Sequence, residues 1–231
     1  MSSCLTLKYN DEIYMCGDSA LSEINSKTGE IKRINGNVQK IWQFDNYVIF
    51  VSGYSILTET LLKELWKIKK DLNFNIISEK AKEIMSKVST NTNLLFALEI
   101  VASTNSNNEL RSCVISSQHN CKVELVNQSA IMFNGCSCEI LKQKYLKYAN
   151  KVNSIRDLYI SVYKEMEQEV IEVGGNLTIY RLDKNEIKLI IQEKITPNKL
   201  NPIIQENRNN MIHHHTDGSY SQLDANGIKM V

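Results

Sequence analysis

Residues 2–22, SSCLTLKYNDEIYMCGDSALS, contain the most informative local pattern of the chain. Two β-rich stretches within residues 5–16 flank the polar pair Asn10-Asp11, which is typical of a hairpin turn. The pattern predicts a β-hairpin that leads from a serine at position 2 to the sequence Gly17-Asp18-Ser19.

The rest of the chain alternates between β-rich segments and pairs of amphipathic helices. The predicted strands and hairpins lie in residues 22–44, 47–53, 94–104, 109–117, 122–128, 129–135, 176–183 and 186–193. The predicted helices lie in residues 55–70, 78–88, 136–152 and 154–170, and Ser55 or Thr58 is available to cap the first. We expect the four strands between residues 94 and 135 to form a meander. Since each sheet must cover an apolar face, this order predicts an α+β fold, a four-layer αββα sandwich.

The composition changes near the C-terminus. Residues 1–197 carry the regular pattern and are expected to form one domain, whereas residues 198–231 are rich in Asn and poor in apolar residues. We expect the latter to be a mostly irregular appendage, with a β-hairpin of residues 219–223 and 228–231 around an Asn-Gly turn.

Composition and charge exclude several classes of function. Apolar residues make up 42% of the chain and the net charge is +1, so no basic surface for nucleic acid is indicated. No signal peptide and no membrane-spanning run is recognisable, and we expect a soluble cytoplasmic protein. The six cysteines lack C-x-x-C spacing, which favours buried thiols over a zinc or redox site. We therefore expect no cofactor.

The histidines offer no strong site. Only His119 lies within the predicted domain, in a turn-like segment, so a Ser-His-Asp triad has no good candidate. His213, His214 and His215 are adjacent and would alternate between the two faces of a strand, which is poor geometry for one metal. A weak metal-binding tract and an added tag are the alternatives.

The serine at position 2 has special chemistry if it becomes the first residue. Its hydroxyl would then stand beside an α-amine with a pKa near ~8, which can serve as the general base. Ser2 is small, so removal of Met1 is a reasonable expectation.

The order of these motifs resembles that of the proteasome β-subunit and HslV family of N-terminal-nucleophile hydrolases. The resemblance runs roughly from Ser2 to Glu193 and includes Gly17-Asp18-Ser19, the segment GNVQK at residues 36–40, and Gly53 before a helix. It implies a peptidase that acts on peptides or proteins and assembles as a homo-oligomer. In that family an ATPase unfoldase feeds some members.

The resemblance also implies roles for individual residues. Ser2 would be the nucleophile, Lys40 would lower the pKa of its hydroxyl or amine, and Asp18 would orient Lys40. The N–H of Gly53 would stabilise the oxyanion. The residues expected to line the cleft or pocket are Ser22, Val51 and Ser52.

Two further positions depart from the family pattern. Cys136 or Ser137 would take the place of a supporting serine, and Asn176 would take the place of a second supporting aspartate. An amide can hydrogen-bond a hydroxyl but carries no charge. Gly53 and Asn176 also fit plain structural roles, as a strand end and a turn residue.

A second interpretation keeps the fold without the activity. The loss of charge at Asn176 and a serine where the family has threonine favour a weak or inactive structural or assembly module. The end of the chain, HTDGSYSQLDANGIKMV, weakly resembles a segment of bacteriophage tail proteins, which would make a phage tail component the partner.

Overall fold

The fold is seen in a computed structural model that describes residues 3–24, 28, 30–87, 98–126, 131–135, 137–195, 211–214 and 220–223. These residues form two five-stranded antiparallel sheets, two two-stranded ribbons and four α-helices. The strands are β1 (Ser3–Tyr9), β2 (Glu12–Gly17), β3 (Ala20–Ile24), β4 (Ile31–Asn37), β5 (Ile41–Phe44), β6 (Tyr47–Gly53), β7 (Leu98–Thr104), β8 (Arg111–Ser116), β9 (Lys122–Leu125), β10 (Ile131–Gly135), β11 (Asn176–Leu182), β12 (Ile187–Lys194), β13 (Met211–His214) and β14 (Tyr220–Leu223). The helices are α1 (Ser55–Lys67), α2 (Phe74–Ser86), α3 (Cys138–Tyr148) and α4 (Ile155–Glu169).

The N-terminal hairpin is confirmed. Strands β1 and β2 pair in antiparallel register from Cys4–Gly17 to Tyr9–Glu12. Asn10 and Asp11 both have left-handed backbones, with φ of 49° and 59°, as a two-residue type I′ turn requires. The turn fixes the register, so the start of β1 lies beside the end of β2.

Each sheet packs against one pair of helices. The first sheet has the strand order β10-β1-β2-β11-β12, and the second has the order β5-β6-β7-β8-β9. Side chains of the first sheet pack with α3 and α4 around the buried Tyr159 and Tyr163. Side chains of the second sheet pack with α1 and α2 around Leu61 and Ile77.

A third buried cluster contains residues of both sheets. Its members are Cys4, Ile13, Met15, Ile41, Val48, Phe50, Val101, Leu110, Met132, Tyr180 and Leu182. Strands β1, β2, β10 and β11 contribute from the first sheet, and β5, β6 and β7 from the second. Strand β6, YVIFVSG, is accordingly a nearly continuous apolar run, since both of its faces are buried.

The predicted meander is wrong in its last strand. Strands β7, β8 and β9 are consecutive neighbours in the second sheet, but β10 pairs with β1 in the first. Met132 packs in the cluster that joins the sheets, whereas Phe133 packs against the α3–α4 side. An apolar strand with two buried faces fits either sheet locally, so the pattern alone does not choose its partner.

Two helix starts also differ from the prediction. The residue before α1 is Tyr54, without a side-chain cap, and the Thr58 hydroxyl instead donates to the Ser55 carbonyl. Helix α2 begins at Phe74, four residues before the predicted Ser78, because the Asn73 side chain accepts the Ile76 N–H at 3.0 Å. Asparagine at this position satisfies one of the free donors of the first turn.

The C-terminal segment contains one described ribbon. Strand β13 pairs with β14, from Met211–Leu223 to His214–Tyr220. Residues 228–231, predicted to pair with residues 219–223, lie outside the described residues, as do the side chains of His213, His214 and His215. Among the described residues, no helix is both long and apolar enough to cross a membrane.

Candidate active site

Asp18 is the centre of the candidate active site and lies just after the end of β2. Its carboxylate is buried and accepts three backbone N–H groups: that of Ser3 at 3.2 Å, that of Ala20 at 2.9 Å and that of Gly174 at 3.2 Å. The donors belong to β1, to β3 and to the turn before β11. Hydrogen bonds to a charged acceptor are stronger than neutral ones, so these contacts hold three segments around one carboxylate.

Lys40 completes this arrangement from the segment between β4 and β5. Its Nζ lies 3.0 Å from Oδ2 of Asp18, and both side chains are buried. The Lys40 carbonyl accepts the N–H of Val51 on β6 at 3.0 Å. A buried charge is costly unless it is paired, so each of the two side chains depends on the other.

Ser2 itself lies outside the described residues, but its neighbour Ser3 is held from several directions. The Ser3 N–H donates to Asp18, and the Tyr163 hydroxyl donates to the Ser3 carbonyl at 3.1 Å. Burial raises the pKa of Tyr163 well above its ordinary value, so its hydroxyl remains a donor at neutral pH. Ser3 also pairs with Gly135 on β10. The backbone that follows Ser2 is therefore fixed.

The turn before β11 requires a glycine at position 174. The Gly174 N–H donates to Asp18, and its carbonyl accepts the Ser19 N–H at 3.1 Å. Its φ of 144° is rare for residues with a side chain. A Cβ there would lie 2.2 Å from Nη2 of Arg33 and 2.5 Å from Oε1 of Glu167. Any side chain at this position would push against a buried ion pair.

That ion pair connects the β3–β4 ribbon to helix α4. Arg33 Nη2 lies 3.9 Å from Oε1 of Glu167, and both side chains are buried. The same Nη2 donates to the carbonyl of Val173, next to Gly174. The ribbon is thus attached to the turn that contacts Asp18.

The two predicted supporting positions contact the site differently. Asn176 begins β11, and its backbone N–H donates to the Ser19 hydroxyl at 2.7 Å. Ser137 precedes α3 in a left-handed conformation with φ of 57° and makes no side-chain cap bond. The alternative to Ser137, Cys136, lies outside the described residues. The main chain of Asn176 therefore contacts Ser19, the residue that follows Asp18.

The second sheet contributes the remaining predicted residues. Val51 packs in the cluster with α1 and α2, while Ser52 is buried and pairs with Glu99 of β7. Gly53 is the last residue of β6, has a φ of 147° and pairs with Leu98. Ser22 is half-buried on β3, opposite Arg33.

The thiols near this site are protonated at neutral pH. Burial raises the pKa of both Cys4 and Cys16 well above the ordinary value. Cys138 is half-buried, its pKa is raised first by burial and then by the charge of Glu99, and its S–H donates to the Gly135 carbonyl at 2.8 Å. A thiolate is the reactive form, so these three cysteines are poor nucleophiles.

Sequence reasoning missed Arg33, Glu99, Glu167 and Gly174. A signal existed for Gly174, because two adjacent glycines precede a strand in VGGNLTIY. Glu99 is a single charge within the apolar run LLFALEIVAST, which is unusual for a strand with two buried faces. Nothing in the local sequence distinguishes Arg33 or Glu167 from surface charges.

Comparison of the whole fold with solved structures defines a class: the chain shares the fold of a group of proteasome-like proteins. The similar structures are Anbu proteins. The Anbu complex of Pseudomonas aeruginosa, solved as a helical assembly, is 12% identical with a TM-score of 0.65, covering 89% of this chain and 91% of that one. A Gly-1 mutant of Anbu from Hyphomicrobium sp. strain MC1 is 10% identical with a TM-score of 0.64, covering 90% and 93%. Anbu, described as an ancestral beta-subunit, from Yersinia bercovieri is 15% identical with a TM-score of 0.63, covering 89% and 91%.

These comparisons correct the assignment made from the sequence. No protein-family model and no curated protein matches the chain. The assignment to the proteasome β-subunit and HslV family is wrong, because the similar structures belong to Anbu, a distinct proteasome-like group. The order of short motifs in residues 2–53 follows the order of secondary-structure elements, and one fold can be shared by distinct families, so this order did not discriminate between them. At these identities the likeness concerns the fold alone.

Proposed function

We propose that this chain is a proteasome-like peptidase in which Ser2, exposed by removal of Met1, is the nucleophile. The observation that carries the proposal is the buried Lys40–Asp18 ion pair, in which Asp18 also accepts the N–H of Ser3. Lys40 and the Ser3 N–H contact the same carboxylate, and a buried ammonium favours the deprotonated forms of groups close to it. An exposed lysine or a turn aspartate without this pairing would offer no such field.

The proposed reaction is acyl transfer through an ester. The Ser2 Oγ attacks the peptide carbonyl, and its proton passes to the α-amine of Ser2, directly or through water. The protonated amine returns that proton to the departing amino group, which leaves Ser2 esterified. A water molecule then hydrolyses the ester, with the same amine as base, and regenerates the hydroxyl.

The remaining predicted residues have supporting roles in this proposal. Lys40 tunes the nucleophile, Asp18 orients Lys40, and the N–H of Gly53 binds the developing oxyanion. Ser137 and Asn176 support the nucleophile and its surroundings, Asn176 through the main-chain bond to Ser19. Substrate would lie against Ser22, Ser52 and the main chain of Val51, whose side chain packs towards α1 and α2.

We further propose the four-layer order α1–α2, second sheet, first sheet, α3–α4, within a domain of residues 1–197. The three buried clusters support this order, since each contains side chains from two adjacent layers. Residues 198–231 would be an appendage to that domain. The order places the candidate site between the two sheets, at the end where β1 begins.

Hydrolysis by matched serine variants tests the function. The protein without Met1 is expected to cleave fluorogenic peptides, and Ser2→Ala, which also allows removal of Met1, is expected to abolish cleavage. Ser3→Ala is the matched control, because the buried Ser3 hydroxyl has no hydrogen-bond partner among the described residues. Equal rates for Ser2→Ala and the wild type would overturn the proposal.

The second candidate function is an inactive structural or assembly module. It is favoured by Asn176, an uncharged residue where the sequence resemblance expects an acid. The helical assembly of the Pseudomonas aeruginosa Anbu complex gives a precedent for self-association within this fold. We propose a homo-oligomer under either function. Light scattering at defined protein concentrations tests self-association, and a monomer at every concentration would contradict it.

A further inference from the structure

Glu99 is a charged side chain within the otherwise uncharged strand β7. Its neighbours Leu98 and Ile100 pack towards α1 and α2, whereas Val101 packs in the cluster shared by both sheets. Side chains alternate along a strand, so Glu99 faces the first sheet, as Val101 does. It is half-buried.

Both carboxylate oxygens of Glu99 bind the end of β10 in the opposite sheet. Oε1 accepts the side-chain Nδ2 of Asn134 at 2.8 Å, and Oε2 accepts the backbone N–H of Gly135 at 2.9 Å. Two bonds to one carboxylate fix its partner in both position and direction. Glu99 is therefore a polar connection between two sheets whose shared buried cluster is apolar.

The strand registers place this connection between the two halves of the candidate site. In the first sheet, Gly135 pairs with Ser3, the residue after the proposed nucleophile. In the second sheet, Glu99 pairs with Ser52, directly before Gly53. One carboxylate thus links the strand that follows Ser2 with the strand that carries the proposed oxyanion donor.

We propose that Glu99 is a positioning residue that fixes the start of β1 relative to Ser52 and Gly53. The inference rests on the peptidase function proposed above, and it assigns Glu99 no contact with the reacting atoms. Attack on a carbonyl needs the nucleophile and the oxyanion donor at a set separation. A misplacement of about 1 Å can cost about 100-fold in rate.

Four variants separate this role from a general contribution to stability. Glu99→Met removes both acceptors, and Glu99→Asp shortens the side chain by one methylene. Glu99→Gln keeps a carbonyl oxygen that can accept the Gly135 N–H. Its new NH₂ group can donate to Oδ1 of Asn134 if the Asn134 amide rotates by 180°. That Oδ1 has no partner among the described residues. Glu124→Met is the matched control, because Glu124 is exposed on β9 of the same sheet.

The readout is the saturation kinetics of labelling by a β-lactone, measured on folded protein. We expect Glu99→Met to lower the limiting labelling rate by about 10- to 100-fold at an unchanged half-saturating concentration, because orientation is lost and binding is kept. Glu99→Asp should fall between Glu99→Met and the wild type. Glu99→Gln and Glu124→Met should stay within about 3-fold of the wild type. Equal limiting rates for all four variants would overturn the proposal, as would a loss that appears only in the half-saturating concentration.

Hydrogen exchange distinguishes failure of this inference from failure of the proposed function. If the wild type is not labelled at all, the peptidase proposal fails. The positioning claim then depends on the amides of residues 3–6, which we expect to exchange faster in Glu99→Met than in Glu124→Met. Unchanged exchange in that stretch would refute the inference. The same exchange result would refute it even if Glu99→Met were too unstable for the labelling experiment.

Discussion

Lys40 Nζ lies 3.0 Å from Oδ2 of Asp18, and the same oxygen also accepts the N–H groups of Ala20 and Gly174. These contacts gather β3, the segment before β5 and the turn before β11 around one carboxylate. The geometry makes the pair both a structural centre and the source of the electrostatic field proposed to act on Ser2. Stability and reactivity can therefore be tested with the same substitutions.

Lys40→Met is expected to lower the free energy of unfolding by about 3 kcal/mol, because it leaves the Asp18 carboxylate buried without its counter-charge. Lys63→Met is the control, since Lys63 lies 3.9 Å from Glu59 with both side chains exposed. That change should cost less than about 1 kcal/mol. Chemical denaturation measures both values, and equal costs would contradict a buried pair.

Gly174→Ala is expected to destabilise the protein by about 2 kcal/mol or more, through backbone strain and through collision with Arg33. Arg33→Ala removes the nearer of the two colliding groups and leaves Glu167 in place. The cost of Gly174→Ala should therefore be smaller in the Arg33→Ala background, and a double-mutant cycle in urea measures the difference. Additive effects would show that Arg33 does not contact position 174.

Asn73→Ala is expected to cost about 1 kcal/mol, because the Asn73 side chain caps α2. Ser55→Ala should have little effect, since Ser55 is the first residue within α1 and the capping position before it is occupied by Tyr54. The two variants are compared by thermal and urea unfolding. A larger loss of stability for Ser55→Ala than for Asn73→Ala would show that Ser55 caps α1, as the sequence pattern suggested.

The burial of the Cys113 thiol predicts a loss of folding stability at alkaline pH. Burial raises the pKa of its thiol from 9.0 to about 12. A raised pKa in the folded state leaves stability intact below pH 9, and stability falls as pH rises towards 12 because only the unfolded thiol ionises. At pH 10 the loss is about 1.4 kcal/mol relative to pH 7.

The measurement compares the wild type with Cys113→Ala at pH 7 and pH 10. The unfolding free energy of the variant should fall less between these two values, by about 1.4 kcal/mol, since one titrating group is absent. Parallel pH profiles for the two proteins would contradict burial of the thiol.

Local patterns were sufficient for much of the fold. The hairpin at Asn10-Asp11 follows from two residues that tolerate left-handed backbone, and strands β11 and β12 follow from an apolar pair around Lys184-Asn185. The placement of β10 was beyond such reasoning, because its partner, β1, lies more than 120 residues away in sequence. Pairing at that range depends on which faces are buried after packing.

The residues of the candidate site also fall into two groups, those that local sequence motifs identify and those that only tertiary packing brings together. Asp18, Lys40 and Gly53 could be named because they follow one another within a short N-terminal order of motifs. Glu99, Glu167 and Gly174 contact this region only through the packing of distant strands and helix α4. The distinction between Anbu and HslV was lost for a related reason, since a shared fold keeps the order of elements while its sequences diverge.

Mass spectrometry of the intact native protein, before and after treatment with a β-lactone, tests whether Ser2 is the nucleophile. We expect a mass that lacks Met1, followed by a single adduct that peptide sequencing locates on Ser2. Retention of Met1, or an adduct on any other residue with Ser2 unmodified, would contradict the proposed nucleophile.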